Sequence, residues 1–322
     1  RNHSGSWLAE KAHRLMARSP GRWPGSSPSG KIPDVSSGST NLRGSHPHLL
    51  SPVRVGPMDL RNRIVLPAMD QNICDNGLIT DPLITHYADR ARGGAGLLVL
   101  ETSAVAFPHG ATARHQPALS HDGVIDGLRR LGEAVHAHGA KMVVQANHHG
   151  RLSGVDTAED RPSLVPSLPL PDADPMAIMR DTTMDELMAM ATLTGGKMPT
   201  YAEASTDDLA WVVDQFADAA WRVQQAGLDG IEVHAGHGYL IDTFLSPAWN
   251  HRTDAYGGSI EGRARLLVEV LEAIRARCGT DFALMVRLNG LDAALKGGIT
   301  PDLAAQYAAM AADTGADAIH VT

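Results

Sequence analysis

The feature that most constrains the fold is a regular alternation of apolar strands and amphipathic helices from about residue 49 onward. Short apolar runs such as AGLLVLET (95–102) and KMVVQA (141–146) are separated by stretches with helical periodicity, such as HDGVIDGLRRLGEAVHAHG (121–139). Strands joined by helices pair in parallel through right-handed crossovers, and near-continuous apolar strands are covered on both faces. The pattern therefore predicts an α/β fold, either an open doubly wound sheet or a (β/α)8 barrel.

The turn after the first predicted strand favours the barrel. It reads LPAMDQNICDNG (66–77), which is long and lacks the G-x-G-x-x-G pattern of a dinucleotide-binding sheet. We therefore expect a TIM-type (β/α)8 barrel. The chain contains six predicted strands, namely NRIVLPAM, AGLLVLET, KMVVQA, DGIEVH, FALMVRL and ADAIHVT. Since a closed barrel needs about eight strands, we expect the barrel to be incomplete and the chain to be truncated at its C-terminus.

Capping residues predict where four of the helices begin. Side chains of Ser, Thr and Asp accept a hydrogen bond from the first turn of a helix, and Pro fits the first helical position. On this basis the predicted N-terminal positions are Asp81 with Pro82, Thr206, Ser259, and Thr300 with Pro301.

Composition along the chain predicts the domain organisation. Residues 1–47 are rich in Ser, Gly, Pro and Arg without apolar periodicity, which is typical of a disordered extension. Residues 48–322 are expected to form one barrel domain. That domain is interrupted at about 150–205 by a long insertion with a Pro-rich part and a Met-rich part. Insertions of this length usually cover a functional site or are disordered.

Bulk properties narrow the class of protein. The net charge is −8, so nothing in the overall charge favours binding to nucleic acid or to an anionic membrane. The sequence has only two cysteines, which argues against a disulfide framework and predicts a reducing, cytoplasmic location. No stretch approaches the ~20 apolar residues of a transmembrane helix.

Polar side chains recur where the predicted strands end. In a parallel barrel the active site lies at the C-terminal ends of the strands, so this recurrence indicates a functional site. In chain order the residues are Asp70, Glu101, Thr102, Gln145, His148, His149, Arg151, His234, His237, Tyr239, Arg287 and Asn289, with His320 inside the sixth strand.

Three interpretations of the histidines are open at this point. His234, His237 and His148 would supply the three protein ligands of a zinc site, although the first strand end, PAMDQN, has no histidine. Alternatively the histidines only satisfy hydrogen bonds in loops. We expect His149 and His121 to be ordinary surface or loop residues.

The third interpretation is an organic cofactor that transfers hydride. A flavin develops negative charge at the N1/O2 end of its ring on reduction, and Arg287 suits that position because guanidinium is planar and always charged. The flavin pyrimidine edge alternates donors and acceptors, which the amide of Gln145 matches. The alternative for Arg287 is an interior ion pair with Glu232 or Glu101.

One segment carries a specific family resemblance. HAGHGYLIDTFLSPAWNHRTDAYGGSIEGRARLL (234–267) resembles the signature segment of the old yellow enzyme family of FMN-dependent oxidoreductases, which includes 2,4-dienoyl-CoA reductase-like barrels. NRIVLPAM (62–69), QANHHGRLS (145–153) and VRLNG (286–290) follow the family's order and spacing. Within the family the chain is most similar to the dienoyl-reductase-like subgroup associated with mycofactocin. The resemblance covers about residues 50–322.

The resemblance implies an eight-stranded barrel and a role for each motif residue. The residues it places at the FMN are Pro67, Ala68, Met69, Asp70, Thr102, Gln145, His148 and Arg287. It implies that His234 and His237 bind a substrate carbonyl or phenolate oxygen, and that Tyr239 donates a proton. Asp70 departs from the family pattern, because many relatives carry Thr or Cys at this position.

The function implied by the resemblance is reduction of an activated C=C bond. The substrate would be a small enone or a dienoyl or enoyl thioester, and the hydride would pass from NAD(P)H through flavin N5. The resemblance allows an iron–sulfur cluster only in a missing C-terminal region, and it also allows a homo-oligomer. The alternatives are a metal-dependent hydrolase barrel that uses the histidine cluster and a non-catalytic fragment of the reductase.

Overall fold

The computed structural model describes residues 46–170, 183–292 and 296–322. Nearly all of the predicted disordered extension, and part of the insertion, lie outside these ranges. In the described ranges, no helix has both the length and the apolar character needed to cross a membrane.

The strands and helices alternate along the chain as expected. The strands are β1 (Val53–Val55), β2 (Met58–Leu60), β3 (Val65–Leu66), β4 (Leu97–Ala104), β5 (Lys141–Asn147), β6 (Ser163–Val165), β7 (Tyr201–Glu203), β8 (Gly230–Ala235), β9 (Ala283–Leu288) and β10 (Ala318–Val321). The α-helices are α1 (Asp81–Arg92), α2 (Ile125–His136), α3 (Gly154–Ala158), α4 (Met184–Thr194), α5 (Thr206–Gln225), α6 (Leu240–Leu245), α7 (Ile260–Cys278) and α8 (Pro301–Asp313).

The main sheet has the topology of a barrel. Its six strands lie in the order β3-β4-β5-β8-β9-β10, and every neighbouring pair is parallel. This spatial order follows the chain order without reversal, whereas a doubly wound sheet reverses direction at a switch point. The (β/α)8 type of fold predicted from the sequence is therefore confirmed, with six strands described.

Two apolar clusters lie on opposite faces of this sheet. Alternate strand residues such as Leu98 and Val144 belong to the large cluster formed with the helices. The residues between them, such as Val99 and Val143, belong to a smaller cluster with Met285. Since successive strand residues point to opposite faces, the smaller cluster defines the inner face of the barrel.

A hairpin that the sequence reading missed packs against the inner face. Strands β1 and β2 pair antiparallel around Gly56–Pro57, and Met58 and Leu60 join the inner cluster. Gly56 has φ +52°, and a Cβ there would lie 2.3 Å from a side-chain atom of Asp317. The Gly-Pro dipeptide between two apolar-alternating triplets was the available signal.

Helix starts agree with the prediction in two of four cases. Ser259 caps α7 and Thr300 caps α8, each accepting a first-turn N–H through its side chain. The other two predictions were wrong by one residue. Thr80 precedes α1, which places Asp81 inside the first turn. Ser205 caps α5 in place of Thr206, because Ser205 and Asp208 form a reciprocal capping box.

The insertion between β5 and α5 has secondary structure of its own. It contains α3, α4 and a parallel pair of short strands, β6 and β7. Residues 171–182, which include part of the Pro-rich stretch, lie outside the described residues.

Candidate functional site

The strand register gathers five of the polar strand residues on the inner face. Gln145 lies opposite Glu232, which lies opposite Met285 of the inner cluster. Two residues further along, His234 lies opposite Arg287, and Arg287 lies opposite His320. Paired residues of neighbouring strands share a face, so these side chains form a polar layer above the apolar inner cluster.

His234 and His237 contact each other directly. His234 Nε2 lies 3.2 Å from His237 Nδ1. The Gly236 N–H donates to His234 Nδ1 at 3.1 Å, so the proton of neutral His234 is on Nε2. His234 therefore donates to His237. Burial, followed by the nearby His237 and Arg287, lowers the pKa of His234 well below its usual value, which keeps the ring neutral.

His237 is held in a left-handed backbone conformation. Its φ is +59°, a region where a non-glycine residue is strained. Its N–H donates to Asn289 Oδ1 at 2.9 Å. The Asn289 amide nitrogen in turn donates to the carboxylates of Asp242 and Asp292. Since Nδ1 of His237 accepts from His234, its Nε2–H donates to Thr322 Oγ1 at 2.9 Å. Partial desolvation, followed by Arg287, lowers the pKa of His237 although its side chain is exposed.

Asp242 is a buried carboxyl that sequence reasoning did not identify. Its Oδ2 accepts from the Gly238 N–H at 2.7 Å as well as from Asn289. Burial, followed by the charge of Asp292, raises the pKa of Asp242 to about 7. Its signal in the sequence was a lone acidic residue within the otherwise apolar run LIDTFL (240–245).

Tyr239 lies beside both His234 and His149. The ring centroids are 4.9 Å from His234 and 4.5 Å from His149, both in edge-to-face geometry. The residue is half-buried and occupies the N-cap position of α6. Burial, followed by the charge of Asp70, raises the pKa of Tyr239 to about 12, so the phenol keeps its proton at neutral pH.

Arg287 and Gln145 lie in the inner polar layer with different partners. Arg287 donates to the carbonyl of Ala68 at 3.4 Å and to Thr322 Oγ1 at 3.1 Å. Its buried Nε has no hydrogen-bond partner among the described residues. The suggested ion pair with Glu232 or Glu101 is absent from the described contacts. Glu232 instead accepts from Gln145 Nε2 at 2.7 Å.

The loop after β3 meets the end of β4. Partial desolvation raises the pKa of Asp70 despite its solvent-exposed position, and the backbone N–H of Thr102 opposes this rise. Glu101 is fully buried, and its Oε2 accepts the N–H groups of Gln71 and Asn72 at 2.6 and 3.0 Å. Burial raises the pKa of Glu101 to about 7, with Asp70 contributing in the same direction.

The three residues before Asp70 present different surfaces. Pro67 is half-buried and Ala68 is buried, whereas the Met69 side chain is 53% exposed. Met69 follows β3, and its exposed side chain leaves apolar surface available at the C-terminal ends of the main-sheet strands. Thr102 and Arg287 also lie at these strand ends.

The two consecutive histidines after β5 differ from expectation. His149 lies in a loop, as one form of the expectation had it, but not at the surface, because its ring is fully buried against Tyr239. His149 Nδ1 donates to the Gly110 carbonyl at 2.7 Å, and burial lowers the pKa of His149 to about 3. His121 is exposed, as expected.

The His148 ring lies beside Trp211, whereas the His149 ring lies beside Tyr239. The His148 ring is 6.4 Å from Trp211, and it lines a cleft of about 360 Å³ together with His109 and Asp156. No described contact joins it to His234 or Arg287. The role at the cofactor predicted for His148 is therefore not supported by a contact and stays a prediction.

The structure also bears on the interpretation of the histidines as a metal site. Within the described ranges, no group of three or more His, Cys, Asp and Glu side chains is arranged to hold a metal ion.

The chain is similar to several known proteins. A family model described as "NADH:flavin oxidoreductase / NADH oxidase family" matches residues 48–322. A curated NADH oxidase from Thermoanaerobacter brockii is 35% identical over 277 residues, which are 86% of this chain and 39% of that protein. This chain therefore spans well under half the length of that relative.

Two solved structures share the fold. The complex of 2-naphthoyl-CoA reductase with 2-naphthoyl-CoA superposes with a TM-score of 0.72 at 29% identity, covering 86% of this chain and 40% of that one. The old yellow enzyme homologue from Zymomonas mobilis superposes with a TM-score of 0.70 at 27% identity, covering 85% of this chain and 73% of that one.

Proposed function

The chain belongs to the NADH:flavin oxidoreductase / NADH oxidase family, and on this premise we propose that it forms the FMN-binding barrel of an NAD(P)H-dependent reductase of activated C=C bonds. The family match and the solved old yellow enzyme homologue confirm the resemblance read from the sequence. The same findings favour the flavin interpretation over a metal-dependent hydrolase.

The residues at the strand ends fit an FMN. Buried polar atoms without a partner are rare in folded proteins and call for an explanation. Thr102 Oγ1 and Arg287 Nε are two such atoms among the described residues. Both lie at the C-terminal ends of the main-sheet strands, where the side chain of Met69 is exposed. A planar ring with polar edges would satisfy them and cover the exposed thioether.

Apart from His148, each residue that we propose at the FMN has a physical role there. When bound, FMN would supply hydride-transfer chemistry between NAD(P)H and the substrate. Arg287 would hold the N1/O2 end of the ring, because its fixed positive charge stabilises an anionic ring. Gln145 would hydrogen-bond the pyrimidine edge. Thr102 and the segment Pro67–Asp70 would contact the ring from the loop side.

His234 would bind the oxygen of the substrate. Its Nε2–H is fixed by the Gly236 N–H and now donates to His237 Nδ1. A substrate carbonyl oxygen would take the place of His237 Nδ1 as the acceptor, and the exposed His237 ring would turn to donate to the same oxygen. Donors aimed at a developing oxyanion are worth about 2.7–4 kcal/mol each.

Tyr239 would supply the proton that completes the reduction. Hydride arrives at the β-carbon of an unsaturated carbonyl, and a proton must then reach the α-carbon. The phenol keeps its proton at neutral pH and lies beside His234, which would bind the carbonyl. General acid catalysis of this kind contributes about 10²–10⁴-fold.

The substrate would be a small unsaturated carbonyl compound or thioester. One structural neighbour is a complex with 2-naphthoyl-CoA, which supports a thioester. The single observation that carries the proposal is the register that places His234 opposite Arg287 at the edge where Gln145 and Tyr239 also lie.

An anaerobic turnover assay tests the proposal. The FMN-loaded chain is mixed with NADH or NADPH and then with 2-cyclohexen-1-one or a 2-enoyl-CoA thioester. We expect bleaching of the flavin absorbance by the nicotinamide and its return with an unsaturated substrate. Flavin that is reduced but never reoxidised by either substrate would contradict the proposed acceptor class. Flavin that neither nicotinamide reduces would contradict the proposed donor.

A further inference from the structure

The buried carboxylate of Glu232 links two side chains of the inner polar layer. Its Oε1 accepts from Gln145 Nε2 at 2.7 Å, and its Oε2 accepts from His320 Nδ1 at 2.9 Å. Glu232 is fully buried, whereas the His320 side chain is 25% exposed. Carboxyl oxygens accept hydrogen bonds, so the Gln145 amide nitrogen and the His320 ring nitrogen are the donors in these two contacts.

This arrangement determines the orientation of the Gln145 amide. An amide can present either its oxygen or its NH2 group to a neighbour, and the two ends have nearly the same shape. Here the NH2 end faces Glu232, because Gln145 Nε2 donates to Glu232 Oε1. The Gln145 Oε1 is therefore directed elsewhere, and in the part of the chain that the structure describes it has no hydrogen-bond partner.

From these contacts we infer that Glu232 is a positioning residue that makes Gln145 present its oxygen to the N3–H donor of a bound flavin. The inference rests on the proposed function, since it needs an FMN in this site. The pyrimidine edge of a flavin has one N–H flanked by two carbonyl oxygens. A reversed amide would direct NH2 toward that N–H, which leaves two donors facing each other.

His320 holds Glu232 from the opposite side. Its Nδ1–H donates to Oε2, so the second oxygen of the carboxylate does not compete for the remaining amide proton of Gln145. His320 is paired in register with Arg287, which continues the polar layer along the same face. The three residues Gln145, Glu232 and His320 therefore form one hydrogen-bonded row across strands β5, β8 and β10.

Packing alone does not account for a carboxylate at this position. Met285, directly opposite Glu232 on β9, belongs to the apolar inner cluster. A buried carboxylate is costly unless hydrogen-bonded, and apolar residues of similar volume are often as stable or more so. A leucine would suit the packing of this layer, but it would leave the Gln145 amide free to turn.

A double-mutant cycle on FMN affinity tests the inference. The dissociation constant of FMN is measured by fluorescence quenching for the full chain, for Glu232→Leu, for Gln145→Leu and for the double variant. If Glu232 acts through Gln145, Glu232→Leu weakens FMN binding about tenfold in the wild-type background, a change of about 1.4 kcal/mol. The same substitution then has almost no effect in the Gln145→Leu background.

Two controls separate orientation from folding. Met285→Leu alters packing beside Glu232 without changing a hydrogen bond, and we expect less than a twofold change in FMN affinity. Thermal unfolding of each apo variant shows whether it folds. Should Glu232→Leu fail to fold, Glu232→Gln replaces it in the same cycle. A smaller loss of about threefold is then expected, because the introduced amide still accepts from Gln145 in one of its two orientations.

The possible outcomes distinguish the inference from the proposed function. Equal losses from Glu232→Leu in both backgrounds would overturn the positioning role, as would unchanged affinity in a folded variant. A wild-type chain that shows no saturable FMN binding would instead overturn the proposed function on which the inference rests.

Discussion

His234 Nε2 donates a hydrogen bond to His237 Nδ1 across 3.2 Å, so the two imidazoles at the end of β8 are joined before any ligand arrives. His234 is buried and fixed in its tautomer by the Gly236 N–H, whereas His237 is exposed and lies on a strained backbone. The two rings are therefore unequal: one is a fixed donor and the other is able to move.

The difference between the fixed His234 ring and the movable His237 ring predicts that their alanine variants lose activity to different extents. In FMN-loaded protein, we expect His234→Ala to lower kcat/KM by about 10²–10³-fold, as for loss of a fixed oxyanion donor. His237→Ala should cost less, because His234 Nε2–H is then free to meet the substrate oxygen. Steady-state kinetics of both variants check this, with FMN content as the control. A larger loss for His237→Ala than for His234→Ala would contradict the assignment.

The strained backbone of His237 predicts a difference in stability between the glycine and alanine variants at this position. Glycine adopts φ near +59° without a steric penalty, whereas alanine keeps the Cβ clash. Both variants remove the imidazole, so we expect His237→Gly to be more stable than His237→Ala by about 1 kcal/mol. Chemical denaturation of the two apo variants measures this. If alanine proves the more stable of the two, the residue does not hold the left-handed conformation in solution.

Tyr239 is expected to affect only one half of the reaction. The phenol is placed to donate a proton to the substrate, and it has no role in hydride transfer from NAD(P)H to the flavin. Tyr239→Phe should therefore slow reoxidation of the flavin by 2-cyclohexen-1-one by about 10²–10⁴-fold. Reduction by NAD(P)H should change little. Rapid-mixing kinetics separate the two steps, and an equal effect on both would contradict a proton-donor role.

Glu101 predicts a specific dependence of stability on pH. Burial raises the pKa of Glu101 to about 7 in the folded protein from a usual value of 4.5. The folded state therefore holds a proton that the unfolded state has lost, and stability decreases as pH rises from about 4.5 to about 7. The Glu101→Gln variant lacks this titration. The free energy of unfolding of the variant, relative to that of the wild type, should therefore rise by about 3 kcal/mol as the pH increases over that range.

Urea denaturation at several pH values tests this prediction. Asp75→Asn, which removes an exposed carboxyl from the same loop, serves as the matched control. A constant difference between Glu101→Gln and wild type across the range would show that Glu101 titrates normally.

The fold and the strand ends were readable from the sequence because they depend on local patterns. Apolar runs, helical periodicity and caps such as Ser259 are properties of neighbouring residues, and they predicted the barrel and most element positions. The motif at 234–239 was readable for the same reason, since all its members follow one strand.

Contacts between distant segments were not readable. The burial of His149 depends on Gly110 and Gln116, which approach it from another loop. The register of β5 and β8 pairs Glu232 with Gln145, and the register of β8 and β9 places Glu232 opposite Met285 rather than Arg287. The direction of His148 toward Trp211 is set by a helix more than fifty residues later in the chain. None of these contacts can be predicted from residues that are neighbours in the sequence.

A crystal structure of the chain grown with FMN tests the central claim most directly. We expect electron density for the isoalloxazine ring at the C-terminal ends of the main-sheet strands. Arg287 should lie at the N1/O2 end, Gln145 Oε1 within hydrogen-bond distance of N3, and His234 on the face that remains open to substrate. An isoalloxazine ring bound away from Arg287 and Gln145 would contradict the account, as would crystals that contain no FMN at saturating concentration.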